Sequence, residues 1–226
     1  CVSGDYKRRH DPTCAPFEPV KADVFVTEAT FGLPVFVHPD AQGEVAKLLD
    51  SLKSNAENDH FIGAYSLGKA QRIIRILRDL GHDDEILLHG SMETLCSYYR
   101  SRGIELGRLS KLIDAGARRK NGGSIIIGPP SAIGTTWVNR MADPVFAYAS
   151  GWMRIRQRAK RAGVELPLIV SDHCDWPELQ QSILDSGAGE IWVTHGNEDG
   201  LVRWCAMQGI AAKPLRLVGF SDEGDQ

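Results

Sequence analysis

Short apolar runs that alternate with helix-spaced amphipathic segments leave a chain few options: the strands must lie mainly parallel, with helices packed on the faces of the sheet. Asp23 to Glu28 is the first such run and delivers Glu28 at its carboxyl end. Glu44 to Leu52 then has helical spacing. Residues 61–65 read as a strand and 69–80 as an amphipathic helix stopped by Gly81. The pattern repeats through a strand at 86–88, a helix at 91–102, a strand and turn at 124–130 and helical spacing at 136–141. The basic stretch from Gly151 to Gly163 reads as a connector. A strand at 166–170, a helix opened by Asp175 with Pro177 in its first turn, a strand at 190–194 and a helix at 197–207 complete the series. The expected fold class is α/β.

Composition narrows the function. With 226 residues, 42% hydrophobic content and a net charge of −3, the chain is neither disordered in bulk nor a histone-like cation. It has no apolar run of roughly 18 residues and no secretory leader pattern, so no membrane association and a cytoplasmic address are expected. The five cysteines are scattered and odd in number, which argues against a disulfide framework or a zinc knuckle. Positive charge is locally dense at Lys7-Arg8-Arg9, Arg118-Arg119-Lys120 and Arg154 through Arg161. Each cluster alone reads as a solvated face; several on one surface would follow a phosphate backbone.

In open α/β sheets, ligands bind beyond the carboxyl ends of the strands. Asp5, Glu28, His173 and His195 are therefore candidates for one crevice. Asp5 alone is equally a turn cap. Glu28, ending an apolar strand, needs a partner for its charge. His195 precedes Gly196, which lets the backbone turn away and leaves the imidazole accessible. His173 lies between Asp172 and Asp175, either of which could orient its ring. His89, also followed by a glycine, reads as structural. The stretch from Gly63 to Gly68-Lys69 matches the glycine and lysine positions of a phosphate-binding loop, but Ala70 stands where Ser or Thr should hold magnesium. A nucleotide-hydrolysing site is disfavoured on that ground, while a helix start at Gly68 and Lys69 could still meet one phosphate of a polynucleotide.

The ordered set of motifs resembles the β-CASP branch of the metallo-β-lactamase superfamily. Ser3-Gly4-Asp5 is similar to the superfamily's fourth motif, Thr27-Glu28-Ala29-Thr30-Phe31-Gly32 to motif A, Ser171-Asp172-His173 to motif B and Thr194-His195-Gly196 to motif C. Residues 64–71 and 128–131 resemble β-CASP stretches. The phrases Asp5-Tyr6-Lys7-Arg8, Glu28 to Pro34 and Gly151 to Gln157 carry a narrower likeness to bacterial ligase-associated DNA exonucleases, also called mRNA 3′-end processing factor-like proteins.

The resemblance implies a partial metallo-β-lactamase αββα fold over residues 1–37 and 164–226, with a β-CASP domain inserted at 38–163. It implies metal-dependent phosphodiester hydrolysis with two divalent ions, Zn²⁺ or Mn²⁺. Asp5 and His195 would be metal ligands and His173 with Glu28 the proton-transfer pair, while Gly68, Lys69, Arg72, Arg154 and Arg156 would hold phosphates. The implied partners are a nucleic acid, DNA in preference to RNA, and by family an ATP-dependent DNA ligase and a helicase. No His-x-His occurs in the chain, so the family's His-x-His-x-Asp-His motif is expected upstream of a truncated start, and the piece alone is expected to be inactive. RNA 3′-end processing and an inactive nucleic-acid-binding subunit are the alternatives.

Overall fold

A computed structural model describes residues 1–115 and 122–218. The Arg118-Arg119-Lys120 cluster lies outside the described residues. The chain forms two units, one of Cys1–His10, Pro16–Val37 and Asp172 onward, the other of Asp11–Ala15 and His38–Ser171.

The first unit opens with β1 (Val24–Ala29), whose Val-Phe-Val start suits a strand buried on both faces. The chain then builds the second unit: α1 (Ala41–Ser54), β2 (His60–Gly63), α2 (Lys69–Asp79), β3 (Ile86–Leu88), α3 (Glu93–Ser101), β4 (Leu109–Lys111), α4 (Leu112–Ala115), β5 (Ile125–Gly128), β6 (Val145–Ala149), α5 (Arg156–Arg161) and β7 (Leu166–Leu168). On returning to the first unit it adds α6 (Trp176–Ser186), β8 (Glu190–Gly196), α7 (Glu198–Met207) and β9 (Ala211–Pro214).

In the second unit the six described strands run parallel in the order β4-β3-β5-β2-β6-β7. Alternate residues sort to opposite faces, as a period of two requires. Ile62, Ile86, Ile125 and Ile127 pack with Ile73, Ile74 and Leu77 of α2 and with Val45 and Leu48 of α1. Their neighbours Phe61, Leu87 and Ile126 point the other way, against Leu112, Trp137 and Phe146. Each such side chain contributes about 1.5–3 kcal/mol on burial.

Three strands escape the sequence reading. β4 (Leu-Ser-Lys), β6 (Val-Phe-Ala-Tyr-Ala) and β9 (Ala-Ala-Lys-Pro) are short or rich in small and polar residues, and only pairing with their neighbours makes them strands. The expected connector at 151–163 contains the six-residue α5. The boundary expected at residue 164 also moves: β7 pairs with β6, and the buried Glu44 carboxylate accepts the Ile169 N–H at 2.8 Å, so the second unit continues to Ser171.

The first unit has the parallel order β1-β8-β9. Phe25, Ala29, Ile191 and Val193 bury against Leu179 and Ile183 of α6 and Leu201 and Cys205 of α7. Asp175 caps α6 as expected from the sequence, in a reciprocal capping box with Glu178. Among the described residues no helix is long and apolar enough to cross a membrane, and all five cysteines are free thiols.

Candidate active site in the first unit

β1 and β8 end side by side, and the candidate residues of the first unit collect there. Glu28 pairs in register with Thr194 and Ala29 with Gly196, so His195 is the extra residue of a bulge. Its φ of +54° is left-handed, a conformation that costs a non-glycine residue about 1–3 kcal/mol and gathers at functional sites. Gly196 is required beside it: φ is +110°, and a Cβ there would lie 2.3 Å from the Ala29 carbonyl oxygen. The Asn197 N–H donates to that same carbonyl at 2.9 Å. Strand pairing and a glycine thus hold the strained histidine at the strand end, with its imidazole exposed.

Glu28 is 2% exposed and accepts two hydrogen bonds, from the Tyr6 N–H to Oε1 at 3.0 Å and from His173 Nδ1 to Oε2 at 2.8 Å. An ionised carboxylate only accepts, so Nδ1 carries the proton and Nε2 is the ring atom that can exchange one. The His173 ring also meets Phe31 edge-on, with centroids 6.0 Å apart, and Phe31 is itself buried. Ligand atoms of Asp5, Glu28 and His173 all lie within 4.8 Å of one another, a set able to hold a metal ion. The exposed Asp5 carboxylate faces solvent while Glu28 lies beneath the surface.

Sequence spacing points to the flanking aspartates as the groups that orient His173, but the orienting group is Glu28. Asp175 instead accepts from the Glu178 N–H and pairs with Arg9, which also reaches Glu178 at 3.1 Å. Arg8 donates to Asp185 at 2.5 Å and to Ser182 at 3.2 Å. Two members of the Lys7-Arg8-Arg9 cluster therefore brace α6. Sequence reasoning missed Tyr6, whose N–H fixes Glu28 and whose hydroxyl lies 3.1 Å from Thr27 Oγ1. Burial, more than the neighbouring Cys174 and Glu28, raises its phenol pKa, and burial also raises that of the Cys174 thiol. The only signal available for Tyr6 was its position next to Asp5.

The residues expected to hold phosphates separate. Gly68 has φ +78° at the start of α2, and the Lys69 and Ala70 amides already donate to Leu67 and Tyr65 carbonyls. Lys69 is buried with its Nζ 4.9 Å from the Tyr65 ring centroid. Arg72 is 2% exposed, donates to the Ser171 carbonyl at 2.8 Å and lies 3.8 Å from the Asp11 carboxylate. In place of an open cradle, Gly68 starts the helix and Lys69 and Arg72 are buried, Arg72 as a strut. Arg154 and Arg156 are exposed, and Arg158 stacks over Trp152 at 3.9 Å. His89 caps a short turn through Ser91, a structural role.

No protein-family model matches the chain. A curated protein named "Probable DNA ligase" from Opitutus terrae (strain DSM 11246 / JCM 15787 / PB90-1) is 24% identical over 213 residues, which is 89% of this chain and 20% of that protein. The chain thus spans about a fifth of that relative's length. Among solved structures, a protein of unknown function from Enterococcus faecalis V583 superposes with a TM-score of 0.51 at 10% identity, over 85% of this chain and 49% of the other, a likeness of fold alone. The chain is an α/β protein of parallel sheets, similar in sequence to part of a protein named as a DNA ligase.

Proposed function

We propose that the chain carries the acid–base part of a metal-dependent nuclease that hydrolyses DNA phosphodiesters, as in the β-CASP branch of the metallo-β-lactamase superfamily. The observation that carries this reading is the convergence of Asp5, Glu28 and His173 within 4.8 Å at the carboxyl end of β1, beside the strained His195 of β8. The likeness to a protein named "Probable DNA ligase" supports DNA as the substrate and a ligase as the functional partner.

The donor set fits a divalent cation, because carboxylates and imidazoles suit Zn²⁺ or Mn²⁺. Asp5 of that set and, by the family resemblance, His195 would hold the ions, with His173 kept for proton transfer by its bond to Glu28; when bound the ions supply positive charge at the phosphate and an activated nucleophile at neutral pH. The chain's own contribution is proton handling. Glu28 holds the His173 Nδ1–H and favours the imidazolium, in which Nε2 also carries a proton and can pass it to the departing oxygen, leaving the neutral Nδ1–H ring. Phe31 limits ring rotation and water access on one side. Arg154 and Arg156, both exposed, would draw neighbouring phosphates.

Digestion of an end-labelled DNA strand by the intact protein tests the reading. His173→Ala should leave metal content unchanged and lower turnover by about 10²-fold or more. Asp5→Asn should instead lower metal content by elemental analysis. Unchanged turnover in the first variant, or full metal retention in the second, refutes the assigned roles.

A further inference from the structure

A hollow of about 440 Å³ opens in the second unit between residues 12–15 and the end of α3. That volume lies within the ~300–1,000 Å³ range of small-ligand sites. Pro12, Ala15, Leu67, Tyr99 and Ile104 supply much of its apolar lining, and Tyr98 and Arg102 also border it. Tyr98 is 53% exposed and Leu67 64%, an unusual outlay of aromatic and apolar surface. The Arg102 guanidinium carbon lies 5.3 Å from the Tyr98 ring centroid, and the Tyr98 and Tyr99 rings meet at 80° with centroids 6.3 Å apart. Among the described residues, no carboxylate lines the hollow.

One wall is fixed from beneath. Asp11 accepts from Thr13 N–H at 2.8 Å and from Thr13 Oγ1 at 2.6 Å, and the buried Arg72 lies alongside it. The segment bearing Pro12 and Ala15 is thus held in place before any ligand arrives.

We propose that this hollow receives an unstacked nucleobase of single-stranded DNA, with Arg102 drawing the adjoining phosphate. A base offers a flat π-face to Tyr98 and to the guanidinium plane, and apolar walls exclude water from its edges. A cation with no opposing carboxylate suits a polyanion. The proposal rests on the DNA reading given above and adds a site remote in sequence from Glu28 and His173.

The test measures fluorescence anisotropy of the intact protein with labelled oligothymidylate of about 12 nucleotides, within the range of single-strand site sizes. A matched strand with abasic positions serves as the control, and chelator keeps both strands whole. Tyr98→Ala should weaken binding of the base-bearing strand by roughly 5- to 150-fold, the scale of one lost base–aromatic stack. It should leave binding of the abasic strand unchanged, and Tyr98→Trp should restore affinity. Equal weakening on both strands, or no weakening while wild type binds, overturns the base pocket and leaves the DNA reading standing. Failure of the wild-type protein to bind either strand overturns both. A dimer that Tyr98→Ala converts to monomer would identify the hollow as a contact between copies and overturn the proposal.

Discussion

Replacing Arg72 by Met separates a structural role from a phosphate-binding one. The guanidinium is 2% exposed, donates to the Ser171 carbonyl at 2.8 Å and lies 3.8 Å from Asp11, itself 4% exposed. Methionine fills comparable volume but supplies neither charge nor donor. Asp11 keeps its two Thr13 hydrogen bonds and loses this cation beside its buried carboxylate. Breaking a buried pair from one side costs about 3–5 kcal/mol. Against a total stability of about 5–15 kcal/mol, that is about a fifth or more. For a chain of 226 residues, the corresponding fall in Tm is about 6–20 °C. Urea and thermal unfolding followed by circular dichroism measure the loss. Arg72→Met combined with Asp11→Asn should be more stable than Arg72→Met alone, because the second change removes the buried charge that Arg72 offset. An Arg72→Met protein as stable as wild type but deficient in oligonucleotide binding would refute the strut and restore Arg72 as a phosphate ligand. So would a double variant no better than the single one.

Gly196→Ala should destabilise the first unit by roughly 3 kcal/mol or more in urea titration, since its Cβ would meet the Ala29 carbonyl at 2.3 Å in a left-handed backbone; a loss under about 1 kcal/mol would show that the strand end yields readily. Asp175→Ala removes a buried N-cap that also pairs with Arg9, and should cost about 2–4 kcal/mol in the same assay. In the second unit, burial lowers the pKa of His60, of His82 (with help from Arg78) and of His89 below the ordinary 6.5. The native state then binds fewer protons than the unfolded chain, so stability is full above about pH 6.5 and falls as the solution is acidified through the lowered values. The urea midpoint should drop between pH 7.5 and 5.5, and His60→Gln should reduce the drop; a midpoint that holds constant in wild type counts against the argument.

Much of this was legible where local chemistry decides the outcome. That Glu28 would find a partner follows from an ionised group at the end of an apolar strand, and the place of His195 at a strand end follows from its short apolar run. The Asp175 cap follows from a short-range pattern. Long-range pairing was not legible in spacing, and the Glu28–His173 pair came only with the family resemblance. Nothing near His173 in sequence announces that Glu28, 145 residues away, would orient it in place of Asp172 or Asp175. Nor does helical periodicity reveal that Arg72 turns inward to Asp11 and Ser171, since a cation on an amphipathic helix normally reads as solvated. β6 and β9 were missed because alanine-rich strands acquire their conformation from their neighbours.

The pairing of β1 with β8 also bears on how the molecule is made. Between the last residue of one and the first of the other the chain inserts roughly 160 residues, and closing so long a loop is slow although its entropic cost grows only with the logarithm of length. On the ribosome Glu28 emerges long before His173 and His195, and the intervening segment carries the makings of its own six-stranded core. Folding of that core first would replace a floppy loop with a compact one and bring the closure within reach. The Glu28–His173 pair is therefore among the last contacts to form, and unfinished chains lack it.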